Sequence, residues 1–144
     1  MALMADAAEI NPTDRVLEVG TGSGYGAAVL GQLADVVWSV ERIESLADDA
    51  RVRLLELGYD NVHVLSGDGS TGLLEEAPFD AIIVTAAAAS IPRSLMDQLV
   101  DGGRLVIPVG AVAGTQQLTR VRRRGRDFIH EDLVPVRFVP LIED

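Results

Sequence analysis

The chain contains no cysteine, no lysine and only two histidines, and aromatic residues make up 4% of its 144 residues. Without cysteine, neither a disulfide framework nor a thiolate metal centre can form. His63 and His130 lie far apart and in no ligand spacing, so they read as structural or surface residues and no metal site is expected. No apolar run reaches the ~20 residues that span a bilayer. The opening segment from Met1 to Glu9 carries acids where a secretory or transit peptide carries bases, so a cytoplasmic protein is expected. The 12 basic residues, all arginine, face 22 acidic ones, for a net charge of −10. That balance repels nucleic acid and anionic membranes, so neither is expected as a partner, and a monomer is expected.

What remains is 48% apolar, enough for one domain over residues 1–144 that buries roughly two thirds of its unfolded surface. Apolar runs rich in Val and Ile recur near 16–19, 36–40, 62–65, 80–84 and 104–109, bounded by Gly, Asp or Asn, as buried parallel strands are. Helical patterns fill the gaps. Ala27 to Leu30 with Leu33 forms the first, and Ile43, Leu46, Ala50, Leu54 and Leu57 form the second, which ends at Gly58. The third runs from Arg93 to Val100 and is stopped by Asp101-Gly102-Gly103. Strand and helix in alternation predict an α/β fold, a doubly wound, mostly parallel sheet. The last thirty residues instead suggest two antiparallel edge strands, near 116–122 and 127–138, where Pro135 is tolerated. Five arginines crowd into Arg120 to Arg126, and a solvated hairpin turning at Gly125 explains them better than a nucleic-acid patch, because no aromatics are interleaved for stacking.

The chemistry concentrates in Val16-Leu17-Glu18-Val19-Gly20-Thr21-Gly22-Ser23-Gly24-Tyr25-Gly26, an apolar run that breaks into alternating glycines before a helix. Glycines there permit left-handed backbone and remove Cβ atoms, so a ligand can lie against the turn and the following helix N-terminus. The next strand ends in Glu41, about twenty residues on, where a ribose diol is usually held. The third ends in Ser66-Gly67-Asp68-Gly69, where an acid suits an adenine amino group. Taken alone, Gly22-x-Gly24-x-x-Ala27 also satisfies a dinucleotide pattern and keeps NAD open, and Glu41 or Asp68 by itself is an ordinary strand-end charge. Three signals in this order favour a nucleoside cofactor.

These segments resemble the core of S-adenosylmethionine-dependent methyltransferases, and among them the bacterial protein-L-isoaspartate O-methyltransferase family. Val16 to Tyr25 is similar to that family's cofactor signature, Val40-Glu-Arg-Ile43 to its second-strand motif and Gly67-Asp-Gly69 to its third. Pro78 to Ala87, Gly102 to Gly110 and Pro135 to Leu141 resemble its later strands. The resemblance implies S-adenosyl-L-methionine as cofactor, with Glu18, Gly20, Thr21, Gly22, Ser23, Gly24 and Tyr25 around its methionine part. It places Glu41 and Arg42 at the ribose, Asp68 and Gly69 at the adenine, and Thr85 to Ala87 facing the methyl group. The implied activity is methylation of the carboxylate of L-isoaspartyl residues in damaged proteins, a repair reaction whose partners are proteins or peptides bearing that residue.

The departures matter too. The family carries, ahead of this core, a Thr-Ile-Ser-Gln-Pro-like stretch whose serine has the active-site role. Met1 to Ile10 resembles the helix after that stretch, so the serine falls upstream of Met1, no catalytic residue is assigned within the chain, and weakened cofactor binding is expected. Ser70-Thr71-Gly72-Leu73 stands where the family has aromatics, and Ala88 where it often has proline. Two other readings stay open: methylation of another peptide carboxylate, and a non-catalytic interaction module on the cofactor fold.

Overall fold

The computed structural model describes residues 1–111 and 114–141. In chain order the elements are α1 (Ala2–Ala7), β1 (Arg15–Val19), α2 (Tyr25–Leu33), β2 (Val36–Glu41), α3 (Glu44–Glu56), β3 (Val62–Ser66), β4 (Phe79–Val84), α4 (Arg93–Asp97), β5 (Leu99–Gly110), β6 (Gln116–Arg124) and β7 (Asp127–Val136). One seven-stranded sheet has the order β3-β2-β1-β4-β5-β6-β7. The first five strands are parallel, and β6 and β7 add to β5 as an antiparallel pair. The doubly wound sheet with an antiparallel edge hairpin is therefore as the sequence predicts, and Gly125, at φ +62, makes the hairpin turn.

The strands are apolar on both faces because both are covered. Val16, Val37, Ala81, Ile83 and Val106 point to one side and pack with buried residues of α1, α2 and α3. Leu17, Trp38, Ile82, Leu105 and Ile107 point to the other and meet Leu95 and Met96 of α4. The order in which strands are added reverses between β1 and β4, which run parallel, and the loops that leave them diverge, so the crevice at their carboxyl ends is the topological switch point.

One expectation needs correction. The third helix stops at Asp97, not Val100: the backbone N–H of Phe79 takes the Gln98 carbonyl at 2.8 Å, and Leu99, fully buried, pairs with Phe79 as the start of β5. Asp101-Gly102-Gly103 lies inside that strand at a register shift, with Gly102 at φ +81. Residues read as a helical tail are thus recruited by a neighbouring strand that offers hydrogen bonds and an apolar partner. On α3 the buried stripe is Ala47, Ala50 and Leu54, whereas Ile43, Leu46 and Leu57 are exposed. Leu57 caps the helix as the chain turns at Gly58, φ +82. Ile43 and Leu46 lean over the sheet's carboxyl end, where they line a cavity.

Candidate functional site

Gly20, Gly22 and Gly24 follow β1 with φ of +101, +54 and +91, the left-handed region that a side chain would strain. A Cβ on Gly20 would also lie 2.5 Å from Thr85 Oγ1. That hydroxyl is shared between the carbonyls of Val19 and Gly20, at 3.1 and 2.8 Å, and so ties the end of β4 to the turn. Gly24 is the N-cap of α2, and Gly22 has open space where a Cβ would stand.

Above the turn is a cavity of about 310 Å³, walled by Val19, Val40, Ile43, Leu46 and, from the far end of the chain, Val139 and Leu141. Its anionic group is Glu41, mostly buried at the end of β2. The carboxylate accepts from Gly22 N–H at 2.9 Å on Oε1 and from Ile43 N–H at 3.0 Å on Oε2. A carboxylate offers about four acceptor sites, two on each oxygen, so these two bonds orient Glu41 and leave acceptor capacity for a ligand diol.

Beneath the turn lies a second titratable group. Glu18 is fully buried, its Oε1 accepts from Ser39 Oγ at 2.5 Å, and Ser39 Oγ is 2.6 Å from Thr21 Oγ1. With Ser39 donating to Glu18, Thr21 donates to Ser39, and three side chains from β1, the turn and β2 form one chain. Glu18 Oε2 is the single buried side-chain polar atom among the described residues without a partner. Burial, reinforced by the charge of Glu41, pushes the Glu18 carboxyl up to about 8 against the opposing Ser39 bond. It opens on a smaller cavity shared with Met1, Met4, Tyr25 and Phe138.

The structure gathers Gly20, Gly22, Glu41, Arg42, Gly69 and Thr85 around the main cavity. Glu18, Thr21, Ser23 and Tyr25 line the adjoining one with Gly20 and Gly22. Asp68 faces a third cavity of about 360 Å³ that meets the first at Val40, and its Oδ1 accepts from the backbone N–H and hydroxyl of Ser70 at 3.0 and 2.7 Å. Of Thr85 to Ala87, the first two residues line the cavity, but Ala87 is engaged in backbone pairing. Its N–H donates to Val139 O and its carbonyl accepts from Leu141 N–H, both at 2.7 Å.

Sequence reasoning passed over Ser39 and the Val139 to Leu141 segment as site residues. Ser39 carried a signal, a small hydroxyl inside Val36-Val37-Trp38-Ser39-Val40 with no exposed face to occupy. The C-terminal segment carried none, because its place over the cavity depends on a contact more than fifty residues away in the chain.

The family model described as protein-L-isoaspartate(D-aspartate) O-methyltransferase matches residues 1–144. Protein-L-isoaspartate O-methyltransferase 2 of Pelobacter propionicus is 57% identical over 143 residues, covering 99% of this chain and 64% of the relative. Protein-L-isoaspartate O-methyltransferase 1 of Geotalea uraniireducens is 54% identical, with 99% and 65% covered. The chain therefore spans a little less than two thirds of these curated relatives. A solved protein-L-isoaspartate O-methyltransferase superposes with a TM-score of 0.89 at 29% identity, over 96% of this chain and 45% of that one. A Plasmodium falciparum beta-aspartate methyltransferase crystallised with S-adenosyl-L-homocysteine superposes with a TM-score of 0.76 at 26% identity, over 99% and 71%. On this match along its length, the chain belongs to the protein-L-isoaspartate(D-aspartate) O-methyltransferase family.

Proposed function

We propose that the protein transfers a methyl group from S-adenosyl-L-methionine to the carboxylate of L-isoaspartyl residues in damaged proteins. The observation that carries the proposal is Glu41 held against the glycine turn at the switch point, in a chain that the isoaspartyl methyltransferase family matches throughout.

The residues present fit that cofactor. The turn is free of side chains where a ligand would lie, a diol acceptor stands beside it, and apolar walls from Val40, Ile43 and Leu46 suit a purine. Glu41 and Arg42 would hold the ribose, and the turn from Gly20 to Tyr25, with Glu18 and Thr21 beneath it, the amino-acid end. Gly69 and Asp68 would hold the base. When bound, S-adenosylmethionine supplies an electrophilic methyl group on a sulfonium. Thr85 keeps the turn in place through its two carbonyl bonds, and Val139 to Leu141 shield the cavity from water.

An acceptor carboxylate is already ionised at neutral pH, its reference pKa being near ~4, so the chain need not provide a general base. The contribution asked of it is alignment and water exclusion, which can supply ~7 kcal/mol or more of the barrier. A cytoplasmic setting accords with this chemistry, and no helix among the described residues is long and apolar enough to cross a membrane.

The test is transfer of a labelled methyl group from S-adenosylmethionine to an isoaspartyl peptide, with the normal aspartyl peptide as control and base-labile methanol as the readout. Selective transfer is expected. Equal transfer to both peptides would replace the repair reading with a broader carboxyl methyltransferase, and binding without transfer would leave an interaction module.

A further inference from the structure

The segment after β3 is held from outside itself. Gly69 lies against Val19 so closely that a Cβ there would strike that side chain, and from Ser70 to Leu73 the backbone is fastened to α4 and the residue that follows it. Ser94 Oγ donates to Ser70 O at 3.0 Å. The Gln98 carboxamide does more: Nε2 donates to Thr71 O at 2.8 Å, and Oε1 accepts from Leu73 N–H at 2.9 Å. Between those two bonds sits Gly72, at φ +72, pressed so flat on the amide that any Cβ would fall on it. Gln98 is 5% exposed, and its own backbone carbonyl is bound by Phe79 N–H, so the side chain is anchored at its root.

The bracket demands a side chain that donates and accepts at once. A carboxylate lacks the donor and an aliphatic chain lacks both. What it supports is the wall of the cavity that contains Asp68, Thr71 and Leu73 and that meets the main cavity at Val40. The glycine turn is braced by Thr85 and Glu41, which themselves line the cavity, whereas Gln98 supports a ligand-facing loop from behind.

We propose that Gln98 is a positioning residue for the base end of the nucleoside site, holding the Ser70 to Leu73 loop so that the site discriminates a 6-amino purine from a 6-oxo purine. This rests on the reading of the cavity as an S-adenosylmethionine site. A base is told apart by one edge, and an edge contact displaced by a few tenths of an ångström loses discrimination before it loses burial. Asp68 accepts from a 6-amino group and repels a 6-oxo group, and it keeps that orientation only while the loop beyond it is held.

The test compares S-adenosyl-L-homocysteine with its inosine counterpart by titration calorimetry, on the full chain and on Gln98→Met. The parent is expected to prefer the adenosine ligand by about tenfold or more, as a site that hydrogen-bonds a substrate group does. In Gln98→Met, affinity for the adenosine ligand is expected to fall about tenfold while that for the inosine ligand changes little, so the preference collapses. Equal losses for both ligands, or a lowered melting temperature with the preference intact, would overturn the inference and leave Gln98 a packing residue. Should Gln98→Met prove unfolded, Ser94→Ala removes the neighbouring tie, and the same ratio is expected to shrink by a smaller factor. An unchanged ratio there counts against the inference. A parent that binds neither ligand overturns the cofactor reading and this inference together, whereas a parent that binds with an unchanged ratio in the variants overturns this one alone.

Discussion

At the amino ends of the strands, Arg104 on β5 reaches Asp14 at 2.7 Å and the carbonyls of Ala8 and Glu9 at 2.7 and 2.9 Å. Arg120 takes the Ala7 carbonyl and Arg122 the Glu9 carboxylate, so three arginines pin the end of α1 to the sheet. At the carboxyl ends the same strands terminate in three left-handed glycines, a buried carboxyl with one bare oxygen, and a cavity. One end pairs its charges with each other, away from the main cavity; the other places Glu41 and Arg42 in the wall of that cavity. The difference teaches that an acidic chain can set a cluster of arginines to fastening one end of the sheet while a carboxylate at the other end, Glu41, lines a cavity.

The contrast is broken most strongly at the amino end. Arg104→Met leaves Asp14 buried without its partner and two carbonyls unpaired, and should cost about 4 kcal/mol in urea unfolding, as removal of one half of a buried pair does. Nucleoside affinity of the molecules that remain folded should be unchanged, because no part of that cluster lines the cavity. A fall in affinity matching the fall in stability would erase the separation between the two ends.

Glu18 gives the next effect and sharpens the contrast through pH. Its carboxyl holds a proton in the folded protein up to about 8, while the unfolded chain loses it in the ordinary carboxylate range. The folded state therefore binds more protons between those limits, so this group's contribution is complete at acidic pH and is lost as pH rises through the folded value. Unfolding free energy should drop with pH between about 5 and 8, by at most ~1.4 kcal/mol per unit for one proton. Glu18→Gln has no proton to lose and should flatten that slope, leaving the variant the more stable form at pH 8. A parallel slope in both proteins would place the titration elsewhere.

Glu41→Gln should act on the ligand more than on the fold. Bonds to a charged partner are each worth about 1.5–3 kcal/mol, so S-adenosylhomocysteine affinity should fall by about tenfold to a hundredfold in calorimetry. The melting temperature should shift little, since an amide oxygen still accepts from one of the two N–H groups that Glu41 now serves. Unaltered affinity would remove Glu41 from the site.

Much of this was legible in the chain because it is written locally. Alternating apolar runs, the glycines at 20, 22 and 24, Glu41 at a strand end and the turn at Gly125 all depend on neighbours within a few residues, where periodicity and backbone sterics act. The helix boundary at Asp97 was not, since Leu99 had the same apolar character for helix or strand and only Phe79, twenty residues earlier, decided between them. Ile43 and Leu46 fit the same helical spacing as Ala50 and Leu54 yet line a cavity, because spacing reports which residues share a face, not whether that face meets packed protein or open space.

Sequence pattern was thus sufficient for the parallel sheet, its antiparallel edge and the glycine turn that lines the cavity, because those follow from dihedral preference and one-dimensional hydrophobic order. The tertiary structure alone decided that Ser39 joins Glu18 to Thr21, that Val139 to Leu141 wall the cavity, and that Gln98 carries the loop beside Asp68. Each of those is a contact between segments distant in the chain, formed only when folding closes the loops between them and removes the water that would otherwise satisfy the same polar groups.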